Sequence, residues 1–442
     1  MRWHTSAPDP DMTNTDPAAA APTARLTPRD WANKLGPGLI TGAADDDPSG
    51  IATYSQAGAQ FGLNLLWSMA FTYPLMVGIQ VVSARIGRVT GKGLAGNIRE
   101  HYPRWLLYLI VGLLLVANTV NIAADVSAMG DALELLVGGP GHVYSAVFGV
   151  FSLLLQIFIP YRRYVRILKW LTLALLAYVA TVFVVQIPWW QVARAMVFPK
   201  LEWNAATITT LVAVFGTTIS PYLFFWQASQ EVEELQADPH AQPLKDAPNQ
   251  ARANFVRIKI DTYFGMGFSN LVAFFIMLTA ATTLHIHGVT DIETSAQAAT
   301  ALRPIAGEFA FLLFAAGIIG TGLLAVPVLA GSAAYAMAGA FNWKKGLENK
   351  PGTAKRFYAI IAVSTLAGVA ISLSPIDPIK ALYWSAVING VISVPIMAVM
   401  MLMAARSDVM GPFVVTRRLK WLGWMATGVM AVAVVAMFVT LV

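Results

Sequence analysis

Apolar residues in this chain run in blocks of about twenty, the length that crosses a bilayer as an α-helix. Eleven blocks are legible: 35–62, 65–87, 105–137, 142–160, 164–187, 206–229, 258–285, 305–338, 353–373, 380–404 and 419–441. The connections are mostly short, and none resembles a soluble domain. The longest, 230–257, is polar and starts with Glu231, Glu233 and Glu234. Residues 1–30 hold no apolar run and are rich in Ala, Pro, Thr and Asp, which predicts a disordered cytoplasmic tail and no secretory signal. The pattern predicts an all-α integral membrane protein.

The basic residues test the count, because Lys and Arg gather in cytoplasmic loops. With the N-terminus cytoplasmic, 26 of the 30 Lys and Arg fall on the tail or on the inside connections. Only Arg194, Lys200, Arg303 and Lys380 fall outside. One miscounted span would scramble this alternation. The C-terminus is then outside the cell membrane, and the net charge of +6 needs no nucleic-acid partner. Charged residues make up 12% of the chain, where a soluble domain carries about a quarter. The absence of cysteine excludes disulfides and thiolate metal sites.

Polar residues break the pattern in two places. The first block carries Asp45-Asp46-Asp47-Pro48-Ser49-Gly50 at its centre. Each charge at a helix centre costs about 2.5–3.5 kcal/mol, so three ionised acids facing lipid would cost on the order of 8–10 kcal/mol. They must face a protein interior, bind a cation or carry protons. Three consecutive side chains on a helix point about 100° apart, so they converge only if the backbone unwinds. Pro48 removes a backbone donor and Gly50 permits unusual dihedrals. The sixth block carries Gly216-Thr217-Thr218-Ile219-Ser220-Pro221-Tyr222. Alone, this reads as a proline kink. Paired with the first break it reads differently, because interrupted helices at matching places in two halves point to a transporter site.

These residues resemble the natural resistance-associated macrophage protein family of divalent-metal transporters. The likeness covers nearly the whole chain. It is densest in Gly36-Pro37-Gly38, Asp47-Pro48, Ala57-Gly58-Ala59-Gln60-Phe61-Gly62, Leu65-Leu66-Trp67 and Ala84-Arg85-Ile86-Gly87. Ile122-Ala123-Ala124-Asp125 and Pro221 continue it. The resemblance implies a LeuT-like fold of eleven transmembrane helices in a 5+5 inverted repeat, with helices 1 and 6 discontinuous. The first repeat would be 31–187, the second 188–404, and helix 11 would follow in 405–442.

The resemblance also implies a metal site, and this chain departs from its pattern. Asp47 keeps the metal-binding aspartate, while Gly50 stands where the family has Asn. The family's Met-Pro-His becomes Ser220-Pro221-Tyr222, and its Asp-x-x-Glu becomes Asp125-Val126-Ser127-Ala128. The family's carbonyl ligands map to Ala44 and Thr217, and Asn389 matches an amide position. Asp45 and Asp46 are additions. The expected donors are thus all oxygen: Asp47, Ser220, the carbonyls of Ala44 and Thr217, Asn389, and Asp46 or Asp45. Carboxylate, hydroxyl and carbonyl oxygens suit magnesium or manganese, whereas a thioether favours softer metals. Asp125 and Tyr222 are the proton-pathway candidates: Asp125 is kept, but its family partners are replaced, the His by Tyr222 and the Glu by Ala128. Asp45, Asp46 and Asp125 forming a different proton route, and uncoupled transport, both stay open.

The expected function is secondary transport of a divalent cation across the bilayer, with no cofactor besides the transported ion, by a monomer or weak oligomer. Two rivals remain: a carrier of an organic cation on the same fold, and an intramembrane aspartate-dependent enzyme. Neither a His-Glu-x-x-His nor a nucleophile-elbow serine pattern is present. His285 and His287 read as solvated loop. Trp189, Trp190 and Trp203 read as interfacial anchors. The methionines of 397–403 read as span packing.

Overall fold

Backbone polar groups cannot be left unpaired in hydrocarbon, so an apolar chain of this kind must form helices. The computed structural model of the protein describes residues 37–160, 163, 171–200 and 202–441. The expected tail, 1–30, and the start of the fifth block lie outside the described residues. The longer helices are α1 (Pro37–Asp45), α2 (Pro48–Phe61), α3 (Trp67–Thr90), α4 (Leu94–His101), α5 (Arg104–Val137) and α6 (Gly141–Phe158). They continue with α7 (Leu176–Val184), α8 (Trp189–Val197), α9 (Ala205–Thr218), α10 (Pro221–Ala237) and α11 (Ala251–Thr283). The last are α12 (Ala310–Phe341), α13 (Lys355–Ser372), α14 (Pro378–Ala404) and α15 (Arg417–Leu441).

Among the described residues, nine helices are long and apolar enough to cross a membrane, or up to ten if one bent pair is a single span. The expected eleven differ for two reasons. The first block divides into α1 and α2, and the nine residues of α1 reach only about 13 Å, under half the hydrocarbon core. The fifth block is described only from residue 171, and its helix turns by 114° into α8.

Both interruptions fall where the sequence places them. Asp47 is extended (φ −72°, ψ 170°), and its Oδ1 accepts the Gly50 N–H at 2.8 Å. A side chain that satisfies an orphan donor, followed by proline at the first helical position, is a helix start. Ser220 is likewise extended (φ −75°, ψ 128°) ahead of Pro221. The expected loop after the sixth block is shorter than read. Glu231, Glu233 and Glu234 belong to α10, which runs on to Ala237. Glu231 is fully buried and pairs with Arg257 of α11, which also reaches Glu234 at 3.1 Å. Arg85 and Arg88 are buried in the last turns of α3, and the Arg85 guanidinium lies 4.2 Å from the centre of the Phe255 ring.

The broken helices sit at the centre. α11 lies along α1 and α2, α14 packs on α9, and α3 packs on α10. Several contacts are close enough to demand glycine, and two of them lie on the broken helices. A Cβ on Gly216 of α9 would lie 2.1 Å from the Ala386 carbonyl oxygen of α14. One on Gly42 of α1 would lie 2.2 Å from the Gly265 carbonyl oxygen of α11. The methionine run packs as read: Met397, Met400, Met401 and Met403 are buried. Trp189, Trp190 and Trp203 are exposed, as interfacial anchors are.

Candidate cation site

The two breaks meet through Tyr222. Its hydroxyl on α10 lies 2.9 Å from the Ala44 carbonyl oxygen and 3.2 Å from Asp47 Oδ2, and it donates to this pair. One O–H thus draws together the backbone oxygen freed by the first break and the carboxylate beside it. Gly50 faces the second break: a Cβ there would sit 3.3 Å from Thr217 Oγ1 and 3.5 Å from the Asp45 carbonyl oxygen. Thr217 Oγ1 is buried and has no hydrogen-bond partner among the described residues. Ser220 turns back on its own helix, donating to the Thr217 carbonyl at 2.7 Å and the Gly216 carbonyl at 3.1 Å. Its proton is therefore used by the backbone, and only its lone pairs remain for a ligand.

Asp45 and Asp46 face sideways onto α11. Ser269 Oγ lies 2.6 Å from Asp45 Oδ2 and 3.0 Å from Asp46 Oδ1. One turn earlier in α1 comes the Gly42–Gly265 contact, and one turn before that the Gly38 N–H donates to Asp261 Oδ2 at 2.6 Å. These three contacts, about four residues apart on each helix, clamp α1 to α11.

Two further groups named from the sequence are buried with nothing to bond. Both carboxylate oxygens of Asp125 on α5, and both amide atoms of Asn389 on α14, lack a hydrogen-bond partner among the described residues. Asn121, one turn from Asp125, is in the same condition. Asn118 is different: its amide donates to the Leu329 carbonyl and to Ser332 Oγ, tying α5 to α12. Buried polar groups are ordinarily satisfied, so each of these is open to a water or an ion. Among the described residues no group of three or more His, Cys, Asp or Glu side chains could hold a metal ion. Any ion here must rely on carbonyl, hydroxyl and amide oxygens beside its carboxylate. The His-x-His pair is exposed, and His285 Nδ1 contacts the Ala59 carbonyl oxygen at 2.7 Å.

The two sides of the breaks differ. A cavity of about 470 Å³ is lined by Gln56 and Gln60 of α2, Thr209 and Thr210 of α9, and Lys380 and Tyr383 of α14. Gln56 and Gln60 stand about two and a half to three and a half turns from Asp47, and Thr209 and Thr210 about two turns from Thr217, on the same side of both breaks. On the opposite side, hydrogen bonds join α1 and α3 to α10. Thr41 Oγ1 donates to Gln227 Oε1 at 2.7 Å, Gln80 Nε2 donates to the Leu223 carbonyl at 3.0 Å, and Ser83 Oγ donates to the Phe224 carbonyl at 2.5 Å. Ser269, Asp261, Gln80 and Gln227 were not singled out from the sequence. Their partners lie between 143 and 224 residues away, beyond any local pattern.

Two half-helices meeting at an oxygen-lined break is an arrangement found in secondary transporters. The sequence itself matches the natural resistance-associated macrophage protein-like family over residues 38–440. The chain belongs to that family. One curated relative, the divalent metal cation transporter MntH of Klebsiella pneumoniae subsp. pneumoniae, is 28% identical over 398 residues, covering 88% of this chain and 90% of the relative. A solved structure of a manganese transporter from Eremococcus coleocola superposes with a TM-score of 0.73 at 17% identity, over 97% of this chain and 90% of that one. Mhp1, a nucleobase-cation-symport-1 family transporter, superposes with a TM-score of 0.55 at 12% identity, over 92% of each chain. At such identities these structures speak to the fold alone. The natural resistance-associated macrophage protein-like chain has the LeuT-like fold that its motifs imply.

Proposed function

We propose that this protein is a secondary transporter of a hard divalent cation, magnesium or manganese, held between its two broken helices. Relatives that carry the name of divalent metal cation transporter support the substrate class. The observation that carries the site is the meeting of Tyr222 Oη, the Ala44 carbonyl and Asp47 Oδ2. A carbonyl and a carboxylate converge on one polar atom, and an arriving cation would displace that hydroxyl's proton-donating contact with attraction of its own. Asp47 supplies the charge. The carbonyls of Ala44 and Thr217, the Thr217 and Ser220 hydroxyl oxygens, and the Asn389 amide supply neutral oxygens. Gly50 leaves room for water, and a donor set of one carboxylate with neutral oxygens suits an ion that keeps part of its hydration shell.

The halves 31–187 and 188–404 are taken to alternate between the side of the 470 Å³ cavity and the side closed by α1 and α10. The family's His and Glu are absent, so transport is driven by the cation gradient unless Asp45, Asp46 and Asp125 offer a different proton route. Uptake into proteoliposomes separates these readings. Magnesium and manganese are offered separately while interior pH is recorded. Saturable uptake of either ion at constant interior pH is expected. Uptake of neither overturns the substrate, and inward acid movement overturns the uncoupled reading. The enzyme reading finds no support among relatives named as transporters. An organic cation is tested in the same vesicles by competition.

A further inference from the structure

The turn between α12 and α13 carries a pocket that the transport site does not use. A cavity of about 380 Å³ is lined by Asn342, Trp343, Lys344, Lys355 and Arg356, with the backbone of 352–354 closing it. All three cations are exposed, and none forms an ion pair with an acid among the described residues. The pocket lies on the side of the membrane that holds most of the Lys and Arg.

Beside it runs an aromatic wall. Arg356 stands 5.4 Å from the centre of the Trp343 ring, Trp343 stacks on Phe341 at 5.1 Å, and Phe341 stacks on Tyr108 of α5 at 6.0 Å. Phe341 and Tyr108 are 45% and 51% exposed, so this wall faces the lipid. Basic charge at the membrane surface next to an exposed apolar wall has the polarity of an anionic phospholipid: headgroup charge first, acyl chain below. Nearby, burial pushes the Lys345 ammonium pKa down, with Arg99 and Lys92 adding to the shift and Glu233 opposing it.

We infer that this pocket binds one anionic phospholipid, its phosphate between Lys344, Lys355 and Arg356 and its acyl chain along Phe341 and Tyr108. The same turn is fastened to the transport machinery. Glu233 of α10 accepts the Leu347 N–H at 2.8 Å and the Tyr335 hydroxyl. Tyr358 of α13 donates to the Asn349 carbonyl at 2.9 Å. A bound headgroup would hold the turn that holds the half-helix following the second break.

The test is native mass spectrometry of the full chain released from nanodiscs of mixed phosphatidylglycerol and phosphatidylcholine. The wild type is compared with the triple variant Lys344→Gln, Lys355→Gln, Arg356→Gln and with the charge-preserving Lys344→Arg, Lys355→Arg. Each lysine or arginine near an anionic surface is worth about five-fold in binding, so the triple variant should bind roughly 100-fold more weakly and lose one retained phosphatidylglycerol. The charge-preserving variant should keep it, which separates lost charge from misfolding. Equal retention by wild type and triple variant overturns the proposal. So does displacement of the lipid by millimolar inorganic phosphate, which would show that the pocket reads phosphate without the chain. Phosphatidylcholine retained as well as phosphatidylglycerol overturns it too.

Discussion

Gly42 sits where α1 crosses α11, and replacing it should open the closed side of the protein. A Cβ at this position would lie 2.2 Å from the Gly265 carbonyl oxygen, 2.3 Å from its carbon and 2.8 Å from its Cα. Ordinary carbon contacts are about 3.5–4.0 Å, so Gly42→Ala must lift α1 from α11 by about 1 Å or more. The obstacle is backbone, which cannot swing aside as a side chain can. The lift would strain the Gly38–Asp261 bond (2.6 Å) on one side and the Ser269 contacts to Asp45 and Asp46 (2.6 and 3.0 Å) on the other. Overpacking costs about 1–3 kcal/mol. If the closed state alone bears that cost, the closed-to-open ratio falls roughly 5- to 150-fold. The natural chain has no cysteine, so a single reporter thiol is unambiguous. Thr262 is suited to the purpose. It is fully buried, its hydroxyl has no partner, and its backbone N is 2.8 Å from where a Gly38 Cβ would be. Maleimide labelling of Thr262→Cys should be about 5- to 100-fold faster when Gly42→Ala is added. An unchanged rate in a folded, monodisperse double variant would refute the clamp.

Other consequences can be tested alongside. Tyr222→Phe removes the hydroxyl that engages Ala44 and Asp47; a hydrogen bond to a charged group contributes about 1.5–3 kcal/mol, so apparent cation affinity should tighten by roughly ten-fold or more. Weaker binding would mean that the phenol oxygen is itself a ligand. Ser220→Ala removes one of the proposed oxygen donors and should weaken apparent cation affinity by roughly two- to ten-fold, whereas Ser220→Met should shift uptake towards softer metals. Arg257→Gln leaves the buried Glu231 without its partner and should cost about 3–5 kcal/mol, read as a lower unfolding temperature in detergent. Adding Glu231→Gln should restore most of it, and no restoration would show that the pair is not the cause.

How much of this the sequence contained depends on the range of each signal. The breaks were legible because proline, glycine and acids inside an apolar run are local and costly, and the half-helices start at Pro48 and Pro221 as read. The hydrophobic blocks located some helix ends closely: α5 starts at Arg104 and α15 at Arg417, against blocks read from 105 and 419. The end of α10 was misjudged because glutamates look like loop until a buried arginine from the next helix answers them. Ser220 reads from the sequence as an oxygen donor, and only the geometry of its own turn shows that its proton goes to the backbone. The two added aspartates gave no hint of Ser269, since a serine on a helix more than 220 residues away carries no sequence mark of that role.

Cation flux into proteoliposomes with and without the Asp47 carboxylate tests the central claim most directly. Wild-type protein should move magnesium or manganese in a saturable way, and Asp47→Ala should abolish that flux while the protein remains folded and inserted. Asp46→Asn, whose side chain faces Ser269 and not Tyr222, should keep a measurable rate. Undiminished flux in Asp47→Ala would contradict a cation site at the paired breaks.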